Sequence, residues 1–177
     1  MSAEGIRLVR LTEDHTFKPF DCGNNDLNHF LFDDSKEYLK NRISVTYVIE
    51  NEIETIGYFS VSNDKLSIAD TTKAKWRRIK RLFSYSMHRK DYPAVKIGRL
   101  AIDKGYQGTR IGSDILSFIK CMFKDNNRTG CAFITVDALP NALPFYIKNR
   151  FKCLDSDPED ATMTYTKQMY YDLNELI

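Results

Sequence analysis

Residues 104–112 read KGYQGTRIG, a glycine-bearing stretch with two basic residues and no acid. Before it lies AVKIGRLAID (94–103), which reads as a strand. After it comes SDILSFIKCMF (113–123). There Ile115, Ile119, Met122 and Phe123 continue from Ile111 at helical spacing. A helix N-terminus leaves about four backbone N–H groups unpaired and carries roughly half a positive charge. A loop feeding such a terminus can therefore hold an anion without any side chain. Gly108 and Gly112 would let a ligand approach the backbone closely. Lys104 and Arg110 offer charge, and Gln107 and Thr109 offer hydrogen bonds. The same residues also suit a plain connecting loop. The stretch is neither a Walker loop, since GKS or GKT is absent, nor GxGxxG.

Working outward, Ile6–Leu11 alternates apolar and basic residues as a half-exposed strand does. The Asn and Asp residues of Phe20–Asp26 can cap a helix, and Leu27, Phe30, Leu31 and Tyr38 then recur at helical spacing to about Asn41. Val45–Glu50 and Thr55–Ser62 read as a hairpin. Trp76, Ile79, Leu82, Phe83 and Met87 mark one apolar stripe on a cationic helix. Cys131–Val136 is a nearly continuous apolar strand of the doubly buried kind. Pro140 can open a short helix. Phe151–Leu154 and Thr162–Leu173 read as a final strand pair. The order β, α, ββ, α, β, α, β, α, ββ predicts a mixed α/β (α+β) fold.

At 177 residues with 42% hydrophobic and 28% charged content, the chain suits one globular domain, residues 1–177, with a substantial core. No signal peptide or membrane span is expected. Cys22, Cys121, Cys131 and Cys153 lack CxxC spacing, and the three histidines form no metal pattern. We therefore expect reduced thiols, no metal and a cytoplasmic setting. Charge is uneven. Residues 71–90 hold eight of the 26 Lys and Arg residues and no acid, which leaves 18 basic against 24 acidic residues elsewhere.

A downstream segment narrows the reading. Asp137–Phe151 reads DALPNALPFYIKNRF. Gln107–Gly112, together with Asn141, Ala142, Phe145, Tyr146 and Phe151, resembles the GNAT family of acetyl-CoA-dependent N-acetyltransferases. The element order matches from Ile6 to Leu173. Two positions depart from the family pattern: Arg110 stands at the middle glycine of the loop, and Arg150 at the glycine before the last phenylalanine. Phe20-Asp21-Cys22-Gly23, Leu27-Asn28, Phe30-Leu31, Gly98–Asp103 and Tyr106-Gln107-Gly108 look like a subgroup that includes toxins acetylating aminoacyl-tRNA.

The resemblance implies a GNAT fold with a central mixed sheet of about six or seven strands. The two central strands, at 94–103 and 131–136, would splay apart, and helices would lie on both faces. It implies acetyl-CoA as cofactor, its pantetheine paired with backbone at Leu100, Ala101 and Ile102. The pyrophosphate would lie on Gln107, Gly108, Thr109, Arg110, Ile111, Gly112 and Ser113. Asn141 would be a further cofactor contact, or else a helix cap. Tyr146 would be the general acid, or else one more packing tyrosine. A backbone N–H near Leu100 or Ala101 would face the oxyanion. Arg99 is a substrate-side cation or a solvated strand residue. Asp103 and Asp137 are general-base candidates by position only, and caps or turns explain them as well. The basic helix 73–90 would contact tRNA, dock an antitoxin, or simply be solvated. The assembly expected is a monomer or homodimer. The function that follows is an N-acetyltransferase acting on a primary amine; the alternatives are a toxin-like acetyltransferase acting on the amino group of aminoacyl-tRNA, or a drifted GNAT fold that binds RNA or a partner and catalyses nothing.

Overall fold

Seven strands form one mixed sheet in the order β1-β2-β3-β4-β5-β7-β6. They are β1 (Arg7–Arg10), β2 (Val45–Glu50), β3 (Thr55–Ser67), β4 (Asp91–Ile102), β5 (Phe133–Ala138), β6 (Lys152–Cys153) and β7 (Lys167–Asp172). Helices α1 (Asn25–His29), α2 (Ser35–Lys40), α3 (Lys73–Lys80), α4 (Ile111–Asp125) and α5 (Leu143–Lys148) flank it. The computed structural model describes residues 5–125, 127, 129–154 and 166–175. The start of the expected last strand, residues 162–165, lies outside them. Among the described residues no helix is long and apolar enough to cross a membrane. The chain divides into two compact units, Met1–Ser62 with Ile97–Leu116 and Asn63–Lys96 with Ser117–Ile177.

In the first unit, β1 pairs antiparallel with β2 from Arg7↔Glu50 to Arg10↔Tyr47. The expected hairpin is present, with Val45 opposite Val61. Asn24 caps α1, its side-chain oxygen accepting from the Leu27 N–H at 3.2 Å. The single helix expected to Asn41 is instead interrupted by a π-helical turn, Phe30–Asp34. Phe30 and Leu31 in that turn are buried with Leu11, Phe20, Cys22, Val48, Tyr58 and Ala101. The Ser35 hydroxyl donates to the Leu31 carbonyl at 2.6 Å, which helps seat the widened turn. Buried Glu50 is neutralised by Arg7 and Lys18. Burial pushes its carboxyl up, but their hydrogen bonds outweigh that and hold it ionised.

In the second unit, the Ala132 N–H donates to the Pro93 carbonyl at 2.8 Å. The Lys96 ammonium pairs with Asp137. The partner numbers rise together, so β4 and β5 run parallel, joined by the α4 crossover. β7 pairs antiparallel with β5 from Phe133↔Asp172 to Ala138↔Lys167. Leu66, Trp76, Ile79, Tyr92, Ala94, Phe133 and Leu154 form the core. The cationic helix is shorter than the apolar stripe predicts. α3 ends at Lys80, and a separate 3₁₀ turn covers Tyr85–Met87. Trp76 and Ile79 are buried, but Leu82, Tyr85 and Met87 are exposed. Extended Ser84 breaks the helical phase, so the stripe stops at Phe83, which stacks on Tyr92 at 4.4 Å.

α5 ends in a Schellman turn. The Phe151 N–H reaches the Tyr146 carbonyl at 3.0 Å and the Arg150 N–H reaches the Ile147 carbonyl at 2.9 Å. The Tyr146 and Phe151 rings meet at 5.4 Å, the apolar contact such turns carry. Arg150 occupies the left-handed position, with φ 67°. Its departure from the family glycine therefore bears on a turn, at a cost of about 1 kcal/mol. Its ion pair with Glu175, 3.7 Å, lies on an exposed side chain and offsets little. Arg150→Gly should raise stability by about 0.5–1 kcal/mol. Arg150→Ala, which keeps a Cβ, should not. Urea denaturation midpoints of the two variants check this.

Candidate functional site

The loop after β4 is built on a carboxylate. Asp103 caps the short 3₁₀ turn Lys104–Tyr106 by accepting from the Gly105 N–H at 2.8 Å. Its other oxygen accepts from the Asp21 N–H, also at 2.8 Å. Both oxygens accept from backbone donors, so Asp103 serves here as a cap and a brace. The Lys104 N–H returns to the Asp21 carbonyl at 2.9 Å. The Lys104 ammonium meets the Asp21 carboxylate at 2.6 Å. Hydrogen bonds from Lys104, the Gly23 N–H and Asn28 hold the Asp21 carboxyl down at about 2.

The side chain of Gln107 is engaged within the protein. Its side-chain NH₂ donates to the Cys22 carbonyl at 2.8 Å and to the Ile102 carbonyl at 2.9 Å. Both of its amide hydrogens are thereby spent inside the protein. The Thr109 hydroxyl likewise donates to the Tyr106 carbonyl at 2.6 Å. The side chains of Gln107, Thr109 and Lys104 are thus all paired within the protein. What the loop offers is backbone. Gly108 has φ +75°, and a Cβ there would meet nothing within 4 Å. The conformation favours glycine, and the space beside it is open. The Asp114 N–H closes the first helical bond on the Arg110 carbonyl at 3.0 Å, so α4 begins there. Ile111 and Gly112 belong to its first turn, where a helix's N–H groups have no intrahelical acceptor. Arg110 is exposed and is not among the residues with positive φ. Its backbone therefore does not need the glycine it replaces. An open glycine ahead of a 15-residue helix suits a phosphate group.

The end of β4 lies on the same unit. Ala101 is buried, while Arg99, Leu100 and Ile102 are half-buried. Gly57 on β3 allows the close approach here, since a Cβ on it would sit 2.8 Å from the Ala101 carbonyl oxygen. No feature of the sequence pattern singled out Gly57. Arg99 is not a freely solvated strand residue. Its guanidinium lies 4.8 Å over the Phe30 ring and donates to the Gly98 carbonyl at 3.0 Å.

The second unit holds Tyr146, buried on α5 between Phe145 at 5.2 Å and Phe151 at 5.4 Å. Burial pushes its phenol up to about 12. Its helix is anchored by a residue sequence reasoning missed. Lys120 of α4, also buried, donates to the Asn149 carbonyl at the C-terminus of α5 at 2.6 Å and lies 4.1 Å over the Tyr171 ring. Only its place on the buried side of α4 could have pointed to it. Asn141 is exposed within the 3₁₀ turn Pro140–Ala142. Ala142 occupies the cap position of α5, without a side-chain cap, so the capping explanation of Asn141 falls away. Asp137 is paired with Lys96. Among the described residues, no three His, Cys, Asp or Glu side chains are grouped to hold a metal ion.

The family model described as Acetyltransferase (GNAT) domain matches residues 21–171. Among solved structures, the chain is similar to a tyrosine-to-phenylalanine mutant of KacT, with TM-score 0.77 and 21% identity over 96% of both chains. It is similar to AtaT complexed with acetyl-methionyl-tRNAfMet, with TM-score 0.75 and 22% identity over 94% of both chains. It is also similar to a tyrosine-to-phenylalanine mutant of the AtaT toxin bound to the C-terminus of the antitoxin AtaR and acetyl-CoA. There the TM-score is 0.71 and identity 21%, over 96% of this chain and 94% of that one.

The brace at Asp21 has a definite pH signature. Its carboxyl is depressed in the folded state from an unfolded value near 3.9. The stabilisation is therefore complete above about pH 4 and is lost as pH falls through about 2. An NMR titration of the Asp21 carboxyl should give a midpoint near 2. Asp21→Asn should remove that portion of the acid dependence of stability.

Proposed function

The chain belongs to the GNAT acetyltransferase family, and on that premise we propose that it moves the acetyl group of acetyl-CoA directly to a primary amine, with Tyr146 as general acid. The observation that carries this reading is Tyr146 itself, a phenol buried on α5 between Phe145 and Phe151. A group held in this state keeps its proton at Oη until charge builds on a nearby sulfur.

When bound, acetyl-CoA supplies a thioester carbonyl open to attack by an amine. Gly108 and the first-turn N–H groups of Ile111, Gly112 and Ser113 would hold its pyrophosphate, with the Arg110 guanidinium adding charge. The β4 backbone at Leu100 and Ala101 would hold the pantetheine arm. An N–H there would donate to the carbonyl oxygen as it becomes negative. The Ile102 carbonyl is engaged by Gln107, so Gln107 shapes this strand end from behind. Asn141 would add a side-chain contact. Arg99, steadied over Phe30, would lend positive charge on the substrate side. Overall an N–C bond forms, the C–S bond breaks, and one proton passes from nitrogen to sulfur. An α-amine with a pKa of about 8 is already partly neutral at pH 7 and needs little help from a base.

On this reading the acceptor is the α-amino group of an aminoacyl-tRNA. The basic segment 73–90 supports a polyanionic substrate. The AtaT complex with acetyl-methionyl-tRNAfMet shares the fold. The same segment would also suit an acidic antitoxin, and the AtaT complex with the AtaR C-terminus has this fold too. The reading as a drifted, non-catalytic fold leans on Arg110 at the glycine position, where its φ is not positive and the replacement carries no left-handed strain.

Tyr146→Phe should lower kcat by roughly 10²–10⁴-fold, the range of general acid catalysis, while acetyl-CoA affinity measured by calorimetry stays unchanged. The wild-type rate should climb through the amine pKa near 8 with no alkaline fall up to about pH 10, because the phenol titrates only near 12. With radiolabelled acetyl-CoA and a cell lysate, label should enter the RNA fraction. Label confined to protein or small amines would sink the tRNA assignment.

A further inference from the structure

The exposed apolar residues that break the expected helical stripe are concentrated in the basic segment. Leu82, Tyr85 and Met87 are 48%, 88% and 51% exposed, within six consecutive positions. The segment is held firmly at both ends. Phe83 stacks on Tyr92 at 4.4 Å and meets Phe133 at 5.9 Å, which ties it to the core. The His88 ring nitrogen lies 3.3 Å from the Phe83 carbonyl, closing the turn on itself. Between these anchors the Ser84 carbonyl accepts from the Met87 N–H, and the Tyr85 carbonyl from the His88 N–H. The 3₁₀ turn therefore projects Tyr85 from a fixed base, its ring touching His88 at 5.3 Å.

Just before the turn, Trp76 and Ile79 point α3 inward. Arg77, Arg78 and Arg81 are exposed on the outer side, and Arg89 and Lys90 are exposed just after the turn. A rigid, open aromatic ring set among cations is chemically matched to a nucleobase attached to phosphates. Stacking takes the base, and the cations take the backbone. Phosphate alone would need no ring, and a paired duplex would offer no free base face to one.

We propose that the turn Leu82–His88 is a stacking platform for unpaired nucleotides of an RNA, with Tyr85 as the stacking residue and Arg77, Arg78 and Arg81 as phosphate contacts. It rests on the tRNA reading above, because an aminoacyl group is carried on the unpaired 3′ end of its RNA. The platform would deliver that end by holding the bases beside it.

The test uses the full chain and two uncharged RNA hairpins, one blunt and one with a short single-stranded 3′ extension, with binding followed by fluorescence anisotropy. The extended hairpin should bind about tenfold tighter, the order expected for base–aromatic stacking. Tyr85→Ala should erase that preference and Tyr85→Phe should keep it. The Arg77→Gln, Arg78→Gln, Arg81→Gln triple variant should weaken both hairpins alike and flatten the salt dependence. Equal binding of the two hairpins by the wild type would overturn the proposal, as would a preference that survives Tyr85→Ala. So would a surface that ignores both RNAs and binds an acidic peptide instead. Because the probes carry no amino acid, the outcome is independent of acetyl transfer. Label entering tRNA with no role for Tyr85 would sink the platform alone. A Tyr85-dependent preference without labelled tRNA would sink the acceptor assignment alone.

Discussion

A single carboxylate organises the loop on which the rest of the reading depends. Asp103 stands at the end of β4 and accepts one N–H from its own turn and one from Asp21, 82 positions earlier in the chain. Gln107 repeats the device with donors, bridging the Cys22 and Ile102 carbonyls. The strand end, the N-terminal Phe20–Gly23 stretch and the approach to α4 are thus fixed by groups that would otherwise leave unpaired backbone. Gly108 is then free to adopt its left-handed turn and leave open space at the start of α4. A backbone anion site needs donors that do not move when the ligand arrives, and bracing of this kind would meet that need.

Tyr146 is set by an equivalent logic with different parts. The Schellman turn closes α5 directly behind it, and the Phe151 ring that completes the turn also packs on the phenol. Buried Lys120 fixes the helix C-terminus from α4 while covering the Tyr171 ring. The burial that raises the phenol thus comes from the same contacts that orient it. Keeping Arg150 in the left-handed position costs some stability but leaves this closure intact.

Much of the strand and helix order was legible in residue patterns. The hairpin at Val45–Val61, the strand at 94–103, the helix from Ile111 and the short helix after Pro140 follow from alternation, helical spacing and turn chemistry. The misreadings have two causes, a residue left outside that keeps the apolar period and a change of helix type that the period does not show. Apolar spacing cannot tell a residue that is buried from one that is left outside. Leu82 and Met87 kept the period of Trp76 and Ile79, yet the helix had already ended. Phe30 and Leu31 kept a helical period through what is a π-helical turn. For the candidate site, KGYQGTRIG and DALPNALPFYIKNRF named two segments, but not the direction in which their side chains turn.

The amino-acid sequence by itself determined the fold class, the glycine loop ahead of α4, the position of Tyr146 and the cationic character of residues 71–90. These depend on local period, on backbone freedom at glycine and on the count of charges, all of which one stretch of chain carries alone. Only the tertiary structure decided that Gln107 and Asp103 brace the loop, that Arg110 keeps an ordinary backbone, that Gly57 makes room for Ala101, and that Tyr85 faces solvent. Each of those is a hydrogen bond, a dihedral or a contact set by residues distant in the chain, and no local pattern encodes which of a side chain's partners will be near.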